Sequence, residues 1–356
     1  MKISTVGIDL AKNVFSIHGV DDTGKVVVQR ELRRSQLLPF FARIPHCLIG
    51  MEACGGAHYW AREFQKLGHE VRLMPASYVK PYVKRGKNDA RDAEAICEAV
   101  TRPTMRFVPV KSEQQQSALA LHRARDMLVR QSTQTSNALR ALCSEFGLIG
   151  AKGRLGIAKL QEMVADEQDK RLPADAKLAL RPLLATLHMI RSQILEYDRI
   201  VLTTTRQNPA CRQLNTVLGI GPLTATALVY TVGDAKRFDS GRDLSAWIGM
   251  TPKSCSSGGK HRVGSISKQG DQYLRRLLVQ CAHSMIHSQE RYKKYDMPWL
   301  EAIVKRRGKK IAAVALANKL ARIAWAIMVR GENYRRPPAA ASQFIAKPQQ
   351  IQEIAA

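Results

Sequence analysis

The sequence is short of acid, of paired cysteines and of long apolar runs. Against 56 Lys and Arg it carries 30 Asp and Glu, which leaves a formal net charge of +26. Such an excess does not fit an ordinary metabolic enzyme. Its seven cysteines (Cys47, Cys54, Cys97, Cys143, Cys211, Cys255, Cys281) are scattered and form no CxxC pair, which argues against a disulfide framework and against structural zinc. No stretch offers the run of about eighteen apolar residues that a membrane span needs, and the N-terminus opens on a strand-like run instead of a signal peptide. The expectation is a soluble, cytoplasmic protein with no membrane partner. Proline is missing between Ser112 and Pro173, so that stretch is free to be helical.

What is present is globular: 45% hydrophobic and 24% charged residues, so the basic excess is not that of a disordered tail. A length of 356 residues suggests two or three domains. A charge of this sign and size is drawn to polyanions, nucleic acid first and anionic membrane second. The charge is unevenly placed. Residues 1–110 hold 17 Lys and Arg against 11 Asp and Glu, and the remainder 39 against 19, giving +6 and +20.

Residues 1–110 alternate strands and helices. Ile3 to Leu10, Asn13 to Val20 and Lys25 to Gln29 are short β-branched runs, with Asp21-Asp22-Thr23-Gly24 as a hairpin signal between the last two. A helix follows from Ser35, then a strand Cys47 to Met51. Ala57, Trp60, Ala61, Phe64 and Leu67 recur at helical spacing, and a strand Glu70 to Leu73 stops at Pro75. That order is the order of a ribonuclease-H-like mixed sheet with helices on its faces. From Ser112, which forms a capping box with Gln115, the chain turns helical. Leu183, Leu187, Ile190, Ile194, Tyr197 and Val201 make a heptad seam, read as a helical hairpin or coiled coil whose partner is either this chain or a second copy. A third region runs from near Cys211 to near Gly331, ahead of a Pro/Ala/Gln-rich tail expected to be flexible. The stretch Lys310 to Arg330, apolar on most sides, is expected to be buried core.

Four carboxylates stand out. Asp9 interrupts the apolar strand Val6-Gly7-Ile8-Asp9-Leu10, and Glu52 ends the apolar strand Cys47 to Met51. In the helix opening at Asn88-Asp89, the core side is set by Ala93, Ile96 and Val100. At 100° per residue Asp89 and Asp92 fall on that side, whereas Arg91, Glu94 and Glu98 point away. Asp89 alone could be a first-turn acid favoured by the helix dipole. Four acids on one sheet edge repel each other unless a hard cation lies between them, and oxygen-only ligands suit Mg²⁺ or Mn²⁺. The matching chemistry is two-metal phosphoryl transfer.

Two segments in the basic region carry further signals. Leu218-Gly219-Ile220-Gly221-Pro222-Leu223-Thr224-Ala225 has the form of a helix-hairpin-helix turn, in which Gly219 and Gly221 let the backbone approach a phosphate and the helix entered at Thr224 adds its dipole. A plain tight turn between helices has the same form. Gly249 to Arg262, with Ser256, Ser257, Lys260 and Arg262, followed by Gly264 to Gly270 with Lys268, reads as a phosphate-contacting loop. A serine there is alternatively a nucleophile toward DNA phosphate.

These residues together resemble a known family. Gly7-Ile8-Asp9-Leu10-Ala11-Lys12, Met51-Glu52-Ala53-Cys54-Gly55-Gly56, Lys87-Asn88-Asp89-Ala90-Arg91-Asp92-Ala93, Gly219 to Ala225 and Ser256-Ser257-Gly258-Gly259-Lys260 look, in this order, like the DEDD transposases of bacterial insertion sequences, in the insertion sequence 110/1111 group. The resemblance implies an α/β plus α architecture: a RuvC-like catalytic domain (1–110), a helical, coiled-coil region (111–207), a mainly α transposase domain with a helix-hairpin-helix-like motif (208–331) and a flexible tail (332–356). It implies an acidic tetrad mapping onto Asp9, Glu52, Asp89 and Asp92, and a serine, Ser257 or its neighbour Ser256, that links covalently to DNA. It further implies donor and target DNA as substrates, a non-coding guide RNA, and a homodimer or homotetramer joined through the helical region. The competing readings are a metal-dependent junction-resolving nuclease with no serine-linked intermediate and a non-enzymatic nucleic-acid-binding protein. An actin-like sugar kinase, which shares a Gly-Ile-Asp first strand, is disfavoured by the charge.

Overall fold

The computed structural model describes residues 2–84, 88–254, 262–288 and 297–335. The chain divides into two compact units, Met1–Gln116 and Ser117–Ala356. The first is a mixed α/β unit and the second is mainly helical.

The first unit runs β1 (Thr5–Asp9), β2 (Val14–Val20), β3 (Val26–Arg33), α1 (Arg34–Phe41), β4 (Leu48–Glu52), α2 (Ala57–Lys66), β5 (Glu70–Met74), α3 (Ala76–Val79) and α4 (Asp89–Val100). Its five strands lie in the order β3-β2-β1-β4-β5. The first three form an antiparallel meander, and β4 and β5 run parallel to β1. The Asp21–Gly24 hairpin forms as its composition indicates: the Asp21 carboxylate accepts from the N–H groups of Thr23 and Lys25, and Gly24 takes φ 85°. β3 reaches Arg33 instead of ending at Gln29, because Arg33 pairs with Val14 at the far end of β2.

Strand side chains alternate between faces. Val6 and Ile8 of β1, Phe15 and Ile17 of β2, and Ile49 and Met51 of β4 point to one face. There they share a core with Leu37 and Phe41 of α1 and Trp60 and Phe64 of α2. The opposite face takes Thr5, Gly7 and Asp9 of β1 and Gly50 and Glu52 of β4, and it receives α4. Gly7 and Gly50 are register partners on adjacent parallel strands. A Cβ at Gly7 would lie 2.2 Å from the Ala93 carbonyl oxygen and 2.4 Å from the Cys97 nitrogen, and one at Gly50 2.8 Å from Val100 Cβ. The glycine pair is thus a notch that seats α4 directly on the sheet backbone.

The second unit contains α5 (Glu113–Ser144), whose first turn reaches back into the first unit, then α6 (Arg154–Ala165), α7 (Ala174–Gln207), α8 (Pro209–Asn215), α9 (Pro222–Val232), α10 (Gly241–Trp247), the hairpin strands β6 (Pro252–Ser254) and β7 (Val263–Ile266), α11 (Gln272–His287) and α12 (Pro298–Arg330). The Ser112/Gln115 capping box opens α5 with reciprocal bonds of 2.9 and 3.1 Å. Leu139 of α5 shares a small core with Leu160 and Val164 of α6 and Leu180 and Leu187 of α7, while Arg125 donates to Asp198 at 2.6 Å farther along both long helices. These contacts make α5 and α7 antiparallel neighbours. The heptad seam is covered within this chain at Leu187, Ile190 and Val201, all buried, and partly covered at Leu183, Ile194 and Tyr197.

A larger core gathers α8 to α12, with Leu228, Leu244, Leu278, Leu316 and Leu320 among its buried members. By length and composition α12 would pass for a membrane-crossing helix, but Leu316, Leu320, Ile327 and five alanines of it are packed in this core. The expected core helix forms, with alanines, Leu316, Leu320 and Ile327 making its inner face, while Ile311 is 49% exposed and Val314, Ile323 and Trp325 are half-buried. The polar residues along it are bonded: Asn318 donates to the Met250 carbonyl and Trp325 to those of Ala235 and Phe238. Of the expected flexible tail, residues 336–356 lie outside the described residues. Tyr334 packs against the core, and its N–H donates to Thr216 Oγ1 at 2.9 Å.

The notch predicts a graded response. Gly7→Ala drives its methyl into backbone and is expected to cost about 3 kcal/mol or more of stability. Gly50→Ala meets only a side chain and costs about 1. Urea denaturation of both variants checks this, and equal midpoints would contradict a backbone-to-backbone seat at Gly7.

Candidate active site

The period-2 alternation that puts Val6 and Ile8 in one core puts Asp9 on the other face, at the carboxyl end of β1. Glu52 arrives there by the same rule one strand away, at the end of β4. The third contribution comes from α4. Its N-terminus is fixed by Asn88, whose side chain accepts from the Ala90 N–H at 2.9 Å, and its first turn carries Asp89 and Asp92. Because Gly7 and Gly50 let α4 lie close, that first turn reaches the strand ends. Carboxylate oxygens of Asp9, Asp89 and Asp92 lie within 4.8 Å of one another. Glu52 stands outside this group of three, though near enough for its carboxyl to feel Asp9 and Asp92.

The electrostatics are those of uncompensated acids. Burial raises the Asp9 pKa above its ordinary 3.8, and Asp92 and then Asp89 push it further, against a smaller pull downward from the Leu10 N–H. Burial likewise raises Glu52, followed by Asp9 and Asp92. Cations flanking the helix pair with its outer acids: Lys84 holds Glu94 at 2.6 Å and lowers its pKa, and Arg102 pairs with Glu98. Glu94 and Glu98 are therefore surface ion-pair partners, apart from the central three. Oxygen ligands from two strands and one helix turn, half-buried at Asp9, Glu52 and Asp92 and exposed at Asp89, with no thiolate or imidazole among them, fit a hard divalent cation. Cys54 lies nearby, but burial and then Glu52 raise its thiol pKa, opposite to what a reactive thiolate needs.

The glycines are the functional residues that residue-type reasoning overlooks. Both acid-bearing strands read Gly-x-acid, Gly7-Ile8-Asp9 and Gly50-Met51-Glu52. A glycine two places before an acid on adjacent strands marks the face a helix approaches.

In the second unit, Gly219 (φ 86°) and Gly221 lie in the turn between α8 and α9, and Gly221 is the N-cap of α9. A Cβ at Gly219 would meet Met285 Sδ at 2.3 Å, whereas the space beside Gly221 is open. Thr224 is buried, its side-chain hydroxyl 3.3 Å from Cys281 Sγ. Its place in the first turn leaves it a backbone N–H. Arg262 and Lys268 are exposed. Ser256, Ser257 and Lys260 lie outside the described residues, between β6 and β7. The base of that hairpin is described and tightly held. Gly249 and Gly270, both at φ 80°, pass so near the Gln269 and Trp247 carbonyl oxygens that a Cβ would sit within 2 Å of them. Arg275 donates to the carbonyls of Ile248 and Gln269.

Comparison with known proteins places these features in context. A transposase family model of the DEDD, IS110 type matches residues 6–147, and one described as the transposase IS116/IS110/IS902 family matches residues 211–296. The chain is 46% identical over 336 residues to a probable family 20 transposase of Pseudomonas aeruginosa, covering 94% of this chain and 99% of that one. It is 40% identical to the transposase for insertion sequence element IS1328 of Yersinia enterocolitica, covering 92% and 98% of the two chains. To the transposase for insertion sequence element IS1111A of Coxiella burnetii it is 38% identical, covering 94% and 92%.

The raised carboxyl pKa values fix the sign of a stability test. A group whose pKa is higher folded than unfolded favours the fold while protonated and loses that contribution as pH rises through its folded value. Without divalent metal, the contribution of Asp9 should therefore fall as pH climbs from about 4 toward neutrality. Because the buried His122 acts in the opposite direction over that range, the test reads the difference between variants, and Asp9→Asn should melt higher than wild type at about pH 7. The gap should close on acidification. Adding Mn²⁺ should raise the wild-type melting temperature and leave the variant nearly unmoved. Equal metal responses would remove Asp9 from the ligand set.

Proposed function

The chain belongs to the IS116/IS110/IS902 transposase family, an enzyme family that cleaves DNA and transfers strands, and from that premise we propose how its residues divide the work. The first unit is a RuvC/ribonuclease-H-like catalytic domain whose acidic tetrad is Asp9, Glu52, Asp89 and Asp92. The observation that carries this reading is the gathering of Asp9, Asp89 and Asp92 within 4.8 Å, with Asp9 held above its ordinary pKa by burial and by its neighbours. These three, with Glu52 beside them, hold Mg²⁺ or Mn²⁺, which when bound supplies Lewis-acid stabilisation of a phosphodiester and of the departing oxygen.

Ser257, with Ser256 as the alternative, supplies the nucleophile from the loop between β6 and β7. Its hydroxyl oxygen bonds to a DNA phosphorus as the phosphorus–oxygen bond to one deoxyribose breaks, and that sugar oxygen leaves with a proton. The phosphoserine link conserves the ester for a second transfer. Gly219, Gly221 and the Thr224 backbone, together with Lys260, Arg262 and Lys268, contact phosphates. Residues 111–207 join copies into a homodimer or homotetramer, a non-coding RNA guides donor and target DNA, residues 332–356 are a tail, and the enzyme works in the cytoplasm. A junction-resolving nuclease remains the second reading, because the carboxylate group lies wholly in the first unit and needs no serine.

Strand cleavage on a donor-end duplex decides between the two. Asp9→Asn and Asp92→Asn are each expected to lower cleavage about 10³-fold while DNA affinity stays within a factor of two or so. Denaturing gels of the wild-type reaction should trap protein-linked DNA that Ser257→Ala abolishes. If neither Ser257→Ala nor Ser256→Ala removes the adduct, or no adduct forms, the nuclease reading replaces the serine one.

A further inference from the structure

The most concentrated charge in the described second unit lies outside every segment considered so far. Within α12, Lys305, Arg306, Arg307, Lys309 and Lys310 flank Gly308, five cations in six positions. Residues 305–311 are exposed without interruption. A helix lying on a core hides a residue every three or four positions, so this length of α12 stands clear of the bundle on all sides. None of the five cations enters an ion pair among the described residues. The one acid in α12 is Glu301.

Local energetics here run against the local structure. Lys305, Arg306 and Arg307 end one helical segment and Lys309 and Lys310 open the next, so like charges crowd both sides of one break. Gly308 takes φ 78° and ψ 165° and breaks the helix in two, so Lys309 and Lys310 open the second segment, where the helix dipole opposes positive charge. Nothing presses on Gly308: a Cβ there would meet no atom within 4 Å. Packing therefore does not impose the break. A segment that gains nothing from its own fold, repels itself and faces solvent is what a polyanion would reverse, because bound phosphates turn each repulsion into attraction.

We propose that Lys305, Arg306, Arg307, Lys309 and Lys310 form a contact site for the phosphate backbone of duplex DNA. Charge density selects the duplex. Two short helical stretches and the break between them span on the order of 10 Å, so five cations meet a duplex that carries one phosphate charge per about 1.7 Å of its axis, counting both strands. A single strand offers about half that density. A lipid surface fits less well, since the apolar residues that follow, Leu316, Leu320 and Ile327, are buried in the unit's core and unavailable for insertion. Backbone contact of this kind positions a duplex without reading its sequence.

The inference rests on DNA being the substrate, and the test separates the two. Full-length protein is titrated with a duplex of about 30 base pairs at about 50 to 200 mM salt, as wild type and as two triple variants that remove equal charge. One is Lys305→Gln, Arg306→Gln, Arg307→Gln. The other is Lys2→Gln, Lys25→Gln, Arg43→Gln, exposed positions in the first unit. The patch triple should flatten the slope of log affinity against log salt by about 2–3, near 0.9 per lost contact, and the control by less than about 1. Its melting temperature should match or exceed wild type as repulsion is relieved, which excludes misfolding. Exchanging the three as Lys305→Arg, Arg306→Lys and Arg307→Lys should restore the slope. Equal flattening by both triples, an unchanged slope in the patch triple, or a loss confined to single-stranded RNA would overturn the proposal. Failure of wild type to bind the duplex at all would instead overturn the reading beneath it.

Discussion

The close approach of α4 to the backbone of β1 and β4 is the constraint on which the carboxylate site depends. A helix packed on a sheet through ordinary side chains stands about 10 Å off, too far for first-turn aspartates to meet an acid on the strand beneath. Gly7 and Gly50, side by side in register, remove the spacer, and Cys97 and Val100 settle into the gap. From there the geometry follows in steps. Asp9 and Glu52 come two residues after their glycines, hence on the same face. Asp89 and Asp92 come about one to three helical turns before Cys97 and Val100, the residues that fill the notch. A single close contact thus converts a sequence alternation into a cluster of acids.

That cluster costs the fold stability. Burial and mutual repulsion both favour the protonated forms of Asp9 and Glu52, so at neutral pH part of the folding free energy is spent holding like charges together. The surrounding architecture shows why this is tolerated. The opposite face of the same strands is packed with Phe15, Phe41, Trp60 and Phe64, including a 5.2 Å edge-on contact of Phe15 with Trp60. β1 is the central strand, paired on both sides. The site sits at the end of the strand that the fold can least easily lose.

Much of this was legible in the sequence, and the parts that were not share a physical cause. The strands, the Ser112 capping box and the shared side of Asp89, Asp92, Ala93 and Ile96 follow from local rules: period 2, period 3.6 and turn chemistry. The role of Gly7 was not legible, because a missing side chain signals only through what comes near it, and Cys97 is ninety residues away in sequence. The contact of Thr224 with Cys281 of α11 was not legible either, because the two lie 57 positions apart in the chain. Composition marked α12 as core, and Leu316, Leu320 and Ile327 with five alanines make its inner face. The heptad seam was open in sequence because a bundle and a dimer want the same spacing. Residues Leu187, Ile190 and Val201 are occupied by this chain's own helices.

The second unit solves a different problem, which is to anchor the helices beside the Gly219–Gly221 turn and the β6–β7 hairpin without using charge for the purpose. His122 of α5 is nearly fully buried, and burial, aided by Arg125, lowers its pKa to about 4, so the ring is neutral at physiological pH. A neutral imidazole offers one donor and one acceptor. Thr226 of α9 donates its hydroxyl proton to the Pro222 carbonyl at 2.9 Å, so its oxygen accepts from His122 Nε2 at 3.0 Å, which leaves Nδ1 to accept from the Tyr273 hydroxyl of α11 at 3.1 Å. The chain of bonds thereby assigns the ring's tautomer and joins α5, α9 and α11 with every polar atom satisfied. Arg276 adds a rim contact to Asp126 and lies over the Tyr273 ring. Helix α9 carries the Gly219–Gly221 turn at its start, and α11 begins just after Gly270, which closes the base of the hairpin. One neutral triad thus holds both segments from behind, and the positive charge of the unit stays at the surface, where a polyanion can reach it.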